Sequence, residues 1–509
     1  MGARAWQAHR WPLLAGAALV ASGCAVGPNY QRPSAPVPET YKEAAPAMPA
    51  GGGEWKAAQP ADVSSRGRWW LVFGDPQLDA LEERVSVSNQ NIALAAAQFQ
   101  GARAAARGAR AQFFPTIGVA PSVTRSHSPV ARTSALPGAP VGTATTYQLQ
   151  GDVAYEVDLW GKVRRNVESK IASAQATAAD LETVRLSMHA ELAVDYFLLQ
   201  GADEQERILQ SNVAADEKAL QLTIHRHDQG IVSGVDVAQA QTQLETTRAQ
   251  LTELSITRAE LEHALAILVG EPPADFAIAA APAGVLPVAA PPPLPSELLE
   301  RRPDVASAER RVAAANADVG VAQAAFFPSL LLNATGGWEG SSLTRWFSAP
   351  SLFWSLGVAL AQTIFDGGAR LAGKEQAIAA YDATVAAYRE SVLGALQEVE
   401  DNLAALRFLA QEVEEQRRAV AAAERALALA QSRYEGGITT YLEVVTAQAA
   451  ALSNERTAVD LQTRRLTATV NLIKALGGGW SESDLPAPRT VLGSQPASTE
   501  NANPGAGPR

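Results

Sequence analysis

The chain reads as a mixed α and β membrane protein of two internal repeats, each with two membrane-crossing strands and a pair of long helices. Three observations point there. Residues 147–159 and 352–364 alternate apolar with polar or small side chains, the period of a strand with two unlike faces. Lys162 to Gly230 contains no proline and, apart from Gly201, little glycine, so it can run as one helix of roughly 100 Å at about 1.5 Å per residue. Motifs also recur. Ala111-Gln112-Phe113-Phe114-Pro115 returns as Ala324-Ala325-Phe326-Phe327-Pro328. Arg226-His227-Asp228-Gln229-Gly230-Ile231 returns 207 positions later as Arg433-Tyr434-Glu435-Gly436-Gly437-Ile438.

The first residues read as an export signal: a basic start at Arg4, His9 and Arg10, then an apolar run, Trp11 to Ala21, too short to span a bilayer. Leu19-Val20-Ala21-Ser22-Gly23-Cys24 fits a lipoprotein cleavage site, in which the thiol takes a diacylglycerol and becomes the new N-terminus. Ala21 stands where that pattern more often has Leu. The plainer alternative is an ordinary signal peptide cut near Gly23. Cys24 is the one cysteine in 509 residues, so it has no internal disulfide partner, and lipidation gives it a use. A single anchor of this kind becomes firm with a second membrane contact. Residues 1–23 are therefore expected to form a signal peptide, and 24–74 an extended segment behind the anchor.

The first repeat spans 75–270. Asp75-Pro76 is a helix start, an N-cap carboxylate followed by proline at the first helical position. Phe113-Phe114-Pro115 ends a helix and opens an extended segment. Strands are expected at about 116–128 and 145–160. In the second, Tyr147, Leu149, Val153, Tyr155, Val157 and Leu159 share a face with Gly151, while Gln148, Gln150, Asp152, Glu156 and Asp158 share the other with Ala154. Gly161 permits the turn into the long helix. A Pro/Ala-rich connector covers 271–295. The second repeat, 296–480, repeats the plan, with strands at about 329–341 and 352–366. There Leu352, Trp354, Leu356, Val358, Leu360 and Ile364 alternate with mainly small residues, and Gly367-Gly368 makes the turn. The polar, Gly/Pro-rich tail 481–509 is expected to be disordered.

The strand pattern suits either a soluble sheet with one buried face or a transmembrane barrel with apolar residues toward lipid. A tilted spanning strand needs about 9–11 residues, which these supply. Four strands cannot close a barrel, and an open edge is not viable in hydrocarbon, so spanning strands would have to be pooled between copies. The return helices carry heptad seams. Positions 237, 240, 244, 247, 251, 254, 258, 261, 265 and 268 recur at 444–475 with the same 3-4 spacing. Val445, Leu452, Val459, Leu466 and Ile473 add a second stripe, seven apart. Two seams suit a stave in a closed cylinder; a buried bundle helix is the alternative.

Composition narrows the function. A net charge of −11 argues against nucleic acid. With six histidines and no phosphate loop, nucleophile elbow or metal cluster, the chain is not expected to be an enzyme or to carry a metal or cofactor beyond the lipid on Cys24. His225 and His227, two apart, do not share a helix face.

Several motifs, in order along the mature chain, resemble the outer-membrane factor family, the TolC-like exit ducts of tripartite export pumps. They are Cys24-Ala25-Val26-Gly27-Pro28-Asn29-Tyr30 with Arg32-Pro33; Trp69-Trp70 with Phe73-Gly74-Asp75-Pro76 and Leu78; Tyr155-Glu156-Val157-Asp158-Leu159-Trp160-Gly161; Leu294-Pro295-Ser296-Glu297-Leu298-Leu299 with Arg301-Arg302-Pro303-Asp304; and Phe365-Asp366-Gly367-Gly368. The match is to the lipoprotein branch that serves efflux pumps of the resistance-nodulation-division class. The resemblance implies a homotrimer, each subunit lending four strands to a twelve-stranded outer-membrane barrel continued by a periplasmic α-helical barrel. It also implies a periplasmic adaptor and an inner-membrane resistance-nodulation-division transporter as partners, beside outer-membrane lipid.

The same resemblance places the working part at the two Gly turns of the periplasmic tip, Gly230 and Gly437. Glu443 resembles the family's acidic ring near this turn, with Asp236 its counterpart in the first repeat, and Tyr434 matches a tyrosine of the closing network. Thr439 stands where the best-known branch has arginine, and Thr446 where many members have a second acid, so the closing links differ here. Two rival readings remain: a duct for peptide or protein secretion, and a structural periplasmic coiled-coil lipoprotein, which predicts no barrel strands.

Overall fold

The structure, a computed structural model, describes residues 25–43, 67–128, 142–280 and 298–493. The expected signal peptide, Cys24 and most of the connector lie outside these residues.

The repeat is carried into the fold with little change. Helices α1 (Pro76–Ser88) and α2 (Gln90–Ala111) lead to strands β1 (Thr116–Ser128) and β2 (Gly142–Val157), then to α3 (Lys162–Asp228) and its return helix α4 (Gly234–Leu268). The second half repeats this with α5 (Pro303–Ala324), β3 (Ser329–Gly340), β4 (Leu352–Ala361), α6 (Ala369–Glu435) and α7 (Tyr441–Ala475). Both long helices have 67 residues and both return helices have 35. Asp75 caps α1 as its position predicts, accepting from the backbone N–H groups of Gln77 at 2.9 Å and Leu78 at 3.3 Å.

Two strand ends depart from expectation. β2 stops at Val157 rather than 160, because Asp158 turns to cap α3, accepting from the N–H groups of Val163 at 3.0 Å and Arg164 at 2.9 Å. β4 stops at Ala361 rather than 366, and Asp366 accepts from Gly368 N–H at 3.1 Å and Arg370 Nε at 2.6 Å before α6. A capping carboxylate thus stands before each long helix, while β4 itself ends where its partner β3 begins, with Ala361 opposite Ser329.

The four strands form one antiparallel meander in the order β1-β2-β3-β4. Its register joins the two repeats: Val153 opposes Ile117 on one side and Ala334 on the other, and Ala334 opposes Leu356. Rows such as Tyr155, Leu332 and Val358, or Pro121, Leu149, Trp338 and Leu352, extend one apolar face across the sheet. Ile117, Val119, Trp354, Leu356, Val358 and Leu360 stand exposed on it. The opposite face carries a polar ladder, Gln148 to Gln150 at 2.8 Å, Gln150 to Asp152 at 2.7 Å and Thr335 to Asp152 at 3.1 Å. An exposed apolar face backed by a wetted polar one is the signature of a lipid-facing barrel wall, not of a sheet covering a core. Strands present also overturn the coiled-coil lipoprotein reading.

Around the helical part the neighbours run α2-α3-α5-α6 next to the sheet and α4-α3-α7-α6 toward the tip, so the 67-residue helices are continuous staves and the shorter ones fill between them. α7 lies between α6 and α3, which explains its two seams: Leu461, Ala468 and Leu472 pack toward α6, and Leu466 and Val470 toward the α3 core of Tyr196 and Phe197. Where the layers meet, Arg302 is 7% exposed and ties Asp304 and Glu398, each at 2.6 Å, to the Ala475 carbonyl at 3.1 Å.

Both ends of the described chain pack on this frame. Residues 25–43 run along α5 and α6: Asn316 donates to the Pro28 carbonyl at 3.1 Å, Tyr30 bonds Glu309, and Tyr41 packs on Val399 and Leu472. The expectation of a disordered tail from 481 is corrected as far as Gly493. Gln175 donates to the Pro486 carbonyl at 2.9 Å, and Val491 is fully buried against Ala106 and Ala174. Small residues on α2 and α3 leave a groove that one valine fills; residues 494–509 lie outside the described residues.

Candidate functional site

The tip is where α3 turns into α4 and α6 into α7. Gly230 and Gly437 have φ of 72° and 71°, the left-handed conformation that ends each long helix. Ile231 N–H bonds the Arg226 carbonyl, and Ile438 N–H the Arg433 carbonyl, both at 2.9 Å. The turns are thus the same device used twice.

Beneath them lies a small apolar core of Ala240, Ala430, Tyr434, Tyr441 and Val444. Tyr434 is buried, edge-on to Tyr441 with ring centres 5.3 Å apart, and its hydroxyl lies 3.4 Å from Thr223 Oγ1. Arg226 crosses from the last turn of α3 to the last turn of α6. Its Nη1 donates to the Tyr434 carbonyl at 2.9 Å and its Nη2 to the Glu435 carbonyl at 2.8 Å, with the guanidinium 4.9 Å from the Tyr434 ring centre. A cation there meets the negative end of the helix dipole and the face of an aromatic ring.

Further along the tip, Asp216 of α3 is 1% exposed and accepts from Thr247 of α4 at 2.8 Å and from Gln448 of α7. Burial raises its pKa, and the two donors partly offset the rise. Burial also pushes Tyr441 up to about 12, with the Asp216 charge adding to the effect.

The residues singled out from sequence divide into two groups. Tyr434, Gly230 and Gly437 sit at the centre of the arrangement. Glu443 and Asp236 stand apart from Tyr434's bonds. Asp236 Oδ2 accepts from Ser233 N–H at 3.0 Å and Ser233 Oγ at 2.8 Å, a helix-start bond within α4's own cap. Glu443 lies 3.7 Å from Arg433 Nη1, and both side chains are more than half exposed. Sequence reading missed Arg226 and Asp216. Arg226 belongs to the repeated motif and could have been flagged by it. Asp216 carries no pattern, since nothing in an Ala-rich helix shows which neighbours a lone acid will meet. His225 and His227 remain apart; His227 Nδ1 faces the Val232 carbonyl at 3.1 Å.

Comparison with known proteins agrees with this architecture. Residues 81–271 and 294–478 match the family described as outer membrane efflux protein. An antibiotic efflux pump outer membrane protein of Pseudomonas putida, ArpC, is 31% identical over 481 residues, covering 92% of this chain and 95% of its own. The pyoverdine export outer membrane protein OpmQ of Pseudomonas aeruginosa is 32% identical over 443 residues, covering 84% and 91%. Among solved structures, the outer-membrane channel OprN superposes with a TM-score of 0.79 at 30% identity, over 90% of this chain and all of that one. The open state of the Neisseria gonorrhoeae MtrE outer membrane channel gives 0.76 at 26% identity, over 90% and 99%. The solved neighbours OprN and MtrE are trimeric channels with four strands per chain and an α-helical barrel, an assembly that would supply the partners that the open edges of β1 and β4 require. On its sheet, its paired helical hairpins and these likenesses, the chain belongs to the outer membrane efflux protein family.

Proposed function

We propose that this protein is the passive exit duct of a tripartite efflux pump. It would take drugs or other small toxic compounds from an inner-membrane resistance-nodulation-division transporter, through a periplasmic adaptor, across the outer membrane. The observation that carries the reading is the pairing of unlike faces on one sheet: apolar rows through Tyr155, Leu332 and Val358 on one side, and the Gln148-Gln150-Asp152-Thr335 ladder on the other. Pooled among three copies, that sheet closes around water and faces lipid. The role involves no bond making or breaking. Relatives are named for cargoes as unlike as antibiotics, toluene and pyoverdine, which supports a permissive lumen and selection by the transporter.

We read Cys24 as lipidated. Its neighbour Ala25 is placed against Gly161, at the turn from β2 into α3, where a Cβ on Gly161 would approach Ala25 Cβ to 2.9 Å. Val26 N–H bonds the Trp160 carbonyl at 3.0 Å, and Arg165 holds Asn29 Oδ1 at 2.8 Å. A diacyl group one residue earlier would enter the leaflet beside the barrel rim.

The test is conduction. A heat-modifiable trimer extracted from outer membranes should conduct ions in a planar bilayer, and a deletion strain should become more susceptible to drugs. A trimer that does not conduct overturns the duct reading.

A further inference from the structure

The strands sort their charges by face and by end. Asp152 and Glu156 alternate with the partners of Gln148 and Gln150 on the lumen face, and Glu339 opposes Gln148 there. From Thr116 to Gly151 the sequence holds Arg125, His127 and Arg132 and no Asp or Glu. From Gly340 to Phe365 it holds Arg345 and again no acid. Within a chain of net charge −11, the end of the sheet away from the helices is therefore basic. In an outer-membrane barrel continued by periplasmic helices, that end lies at the outer leaflet.

The bases and an aromatic cluster share the lipid side. Arg125 and His127 continue the every-second-residue series of Ile117, Val119, Pro121 and Val123, and both are exposed. The β3–β4 connection bends to the same side. Tyr147 opposes Val123 on β1 and Gly340 on β3. A Cβ on Gly340 would lie 3.9 Å from Trp346 Cα, and the Trp346 ring centre is 6.1 Å from that of Tyr147. Phe347 sits 5.6 Å from Trp338 and 5.1 Å from Trp346, whose Nε1 donates to the Trp338 carbonyl at 3.2 Å. Ser351 Oγ closes the turn on the Arg345 carbonyl at 3.1 Å. Phe347 is nevertheless 64% exposed, and Arg345 stands exposed beside it.

We propose that each subunit binds one phosphorylated glycolipid of the outer leaflet on this shelf. Its acyl chains lie along the apolar rows that end in Leu352 and Trp354, its sugar rests on Trp346 and Phe347, and Arg125 and Arg345 take its phosphates. Aromatic rings alone would mark the level of the membrane interface. Arginines directed to the lipid side at that level add a demand for anions, which phosphate meets with paired charge-assisted hydrogen bonds. β2 separates β1 from β3, so the two arginines stand about two strand spacings apart, roughly 10 Å. That separation suits a headgroup with two phosphates better than a single phosphodiester. The loop's own bonds hold the rings in place before the lipid arrives, which lowers the cost of ordering them on binding. The inference needs the outer-membrane barrel and is independent of what passes through its lumen.

Native mass spectrometry of the detergent-purified trimer tests it, with bisphosphorylated lipid A as the probe. The parent should retain up to three copies, and at least tenfold fewer of the fully dephosphorylated lipid, a comparison that needs no variant. Arg125→Gln with Arg345→Gln should lower retention of the bisphosphorylated form about tenfold, and Phe347→Ser several-fold, with the single-channel conductance unchanged. Equal retention of the dephosphorylated lipid, or of phosphatidylglycerol, overturns the proposal. So does a double variant that forms trimer and retains the lipid as the parent does, or displacement of the lipid by millimolar inorganic phosphate alone. A trimer that binds the lipid but does not conduct overturns the duct reading and leaves this site standing.

Discussion

Arg226 donates to the carbonyl groups of Tyr434 and Glu435 and covers the Tyr434 ring, so one side chain joins the ends of the two 67-residue helices. Dilating the tip by parting the α3/α4 hairpin from the α6/α7 hairpin must break this contact.

Arg226→Gln is expected to weaken the closed tip. The loss is about 1–3 kcal/mol, the usual worth of a hydrogen bond with a charged partner, since the site is only half-buried. Single-channel conductance should rise while the trimer remains intact on native gels. An unchanged conductance would mean that the contact does not restrain the duct.

Asp216 is a second interior tie, and its two variants should differ. Asp216→Leu leaves Thr247 and Gln448 without their acceptor and should cost roughly 2–4 kcal/mol. Asp216→Asn keeps an acceptor and removes a buried charge. Because the folded-state pKa is raised by burial, the contribution of Asp216 to stability is full below the ordinary carboxylate pKa and falls as pH rises through the folded value. The stability advantage of Asp216→Asn should therefore be largest at neutral pH and shrink toward pH ~4. Thermal unfolding across that range checks the sign.

His189 and Glu82 form a buried pair at 2.6 Å beneath Trp70, whose ring stacks on the imidazole at 4.6 Å. Burial lowers His189 to about 4, with the Arg185 charge adding to the effect, and burial with the Asp79 charge raises Glu82. At neutral pH the imidazole of this pair is thus uncharged. A depressed histidine contributes stability that is present above its unfolded pKa of about 6.5 and lost as pH falls toward the folded value. His189→Gln should flatten the decline of the melting temperature between about pH 6.5 and pH 4; an identical profile would remove His189 as its source.

Glu443 stands exposed beside Arg433 at the tip. Three such carboxylates ringing the mouth of the lumen would favour cations there. Glu443→Gln should lower the cation-to-anion permeability ratio measured from reversal potentials in a salt gradient. A ratio equal to the parent's would count against the acidic ring.

Cys24→Ala with a cleavable signal should reduce the yield of assembled trimer more than the conductance of each trimer formed, because the barrel itself supplies the second and stronger membrane attachment. Loss of export despite a normal amount of outer-membrane trimer would contradict this.

The amino-acid sequence by itself determined the elements. Alternation at 147–159 and 352–364 set the faces of β2 and β4, because strand side chains point to opposite sides whatever surrounds them. The proline-free run from Lys162 set α3, and Gly230 and Gly437 set its turn and that of α6, because these are local backbone constraints. Asp158 and Asp366 were visible as motif residues, yet the bonds by which they cap α3 and α6 emerged only in the structure. Tertiary structure alone decided which helix ends meet. Arg226 is one arginine among many until α6 ends beside it, and Asp216 one acid in an alanine-rich helix until Thr247 and Gln448 arrive from two other helices. Val491 lay in a segment that reads as tail, and became core through a groove between Ala106 and Ala174 on separate helices. Periodicity reports what a residue's own neighbours in the chain require; the closing contacts of the tip depend on residues some two hundred positions away, whose approach is set by packing.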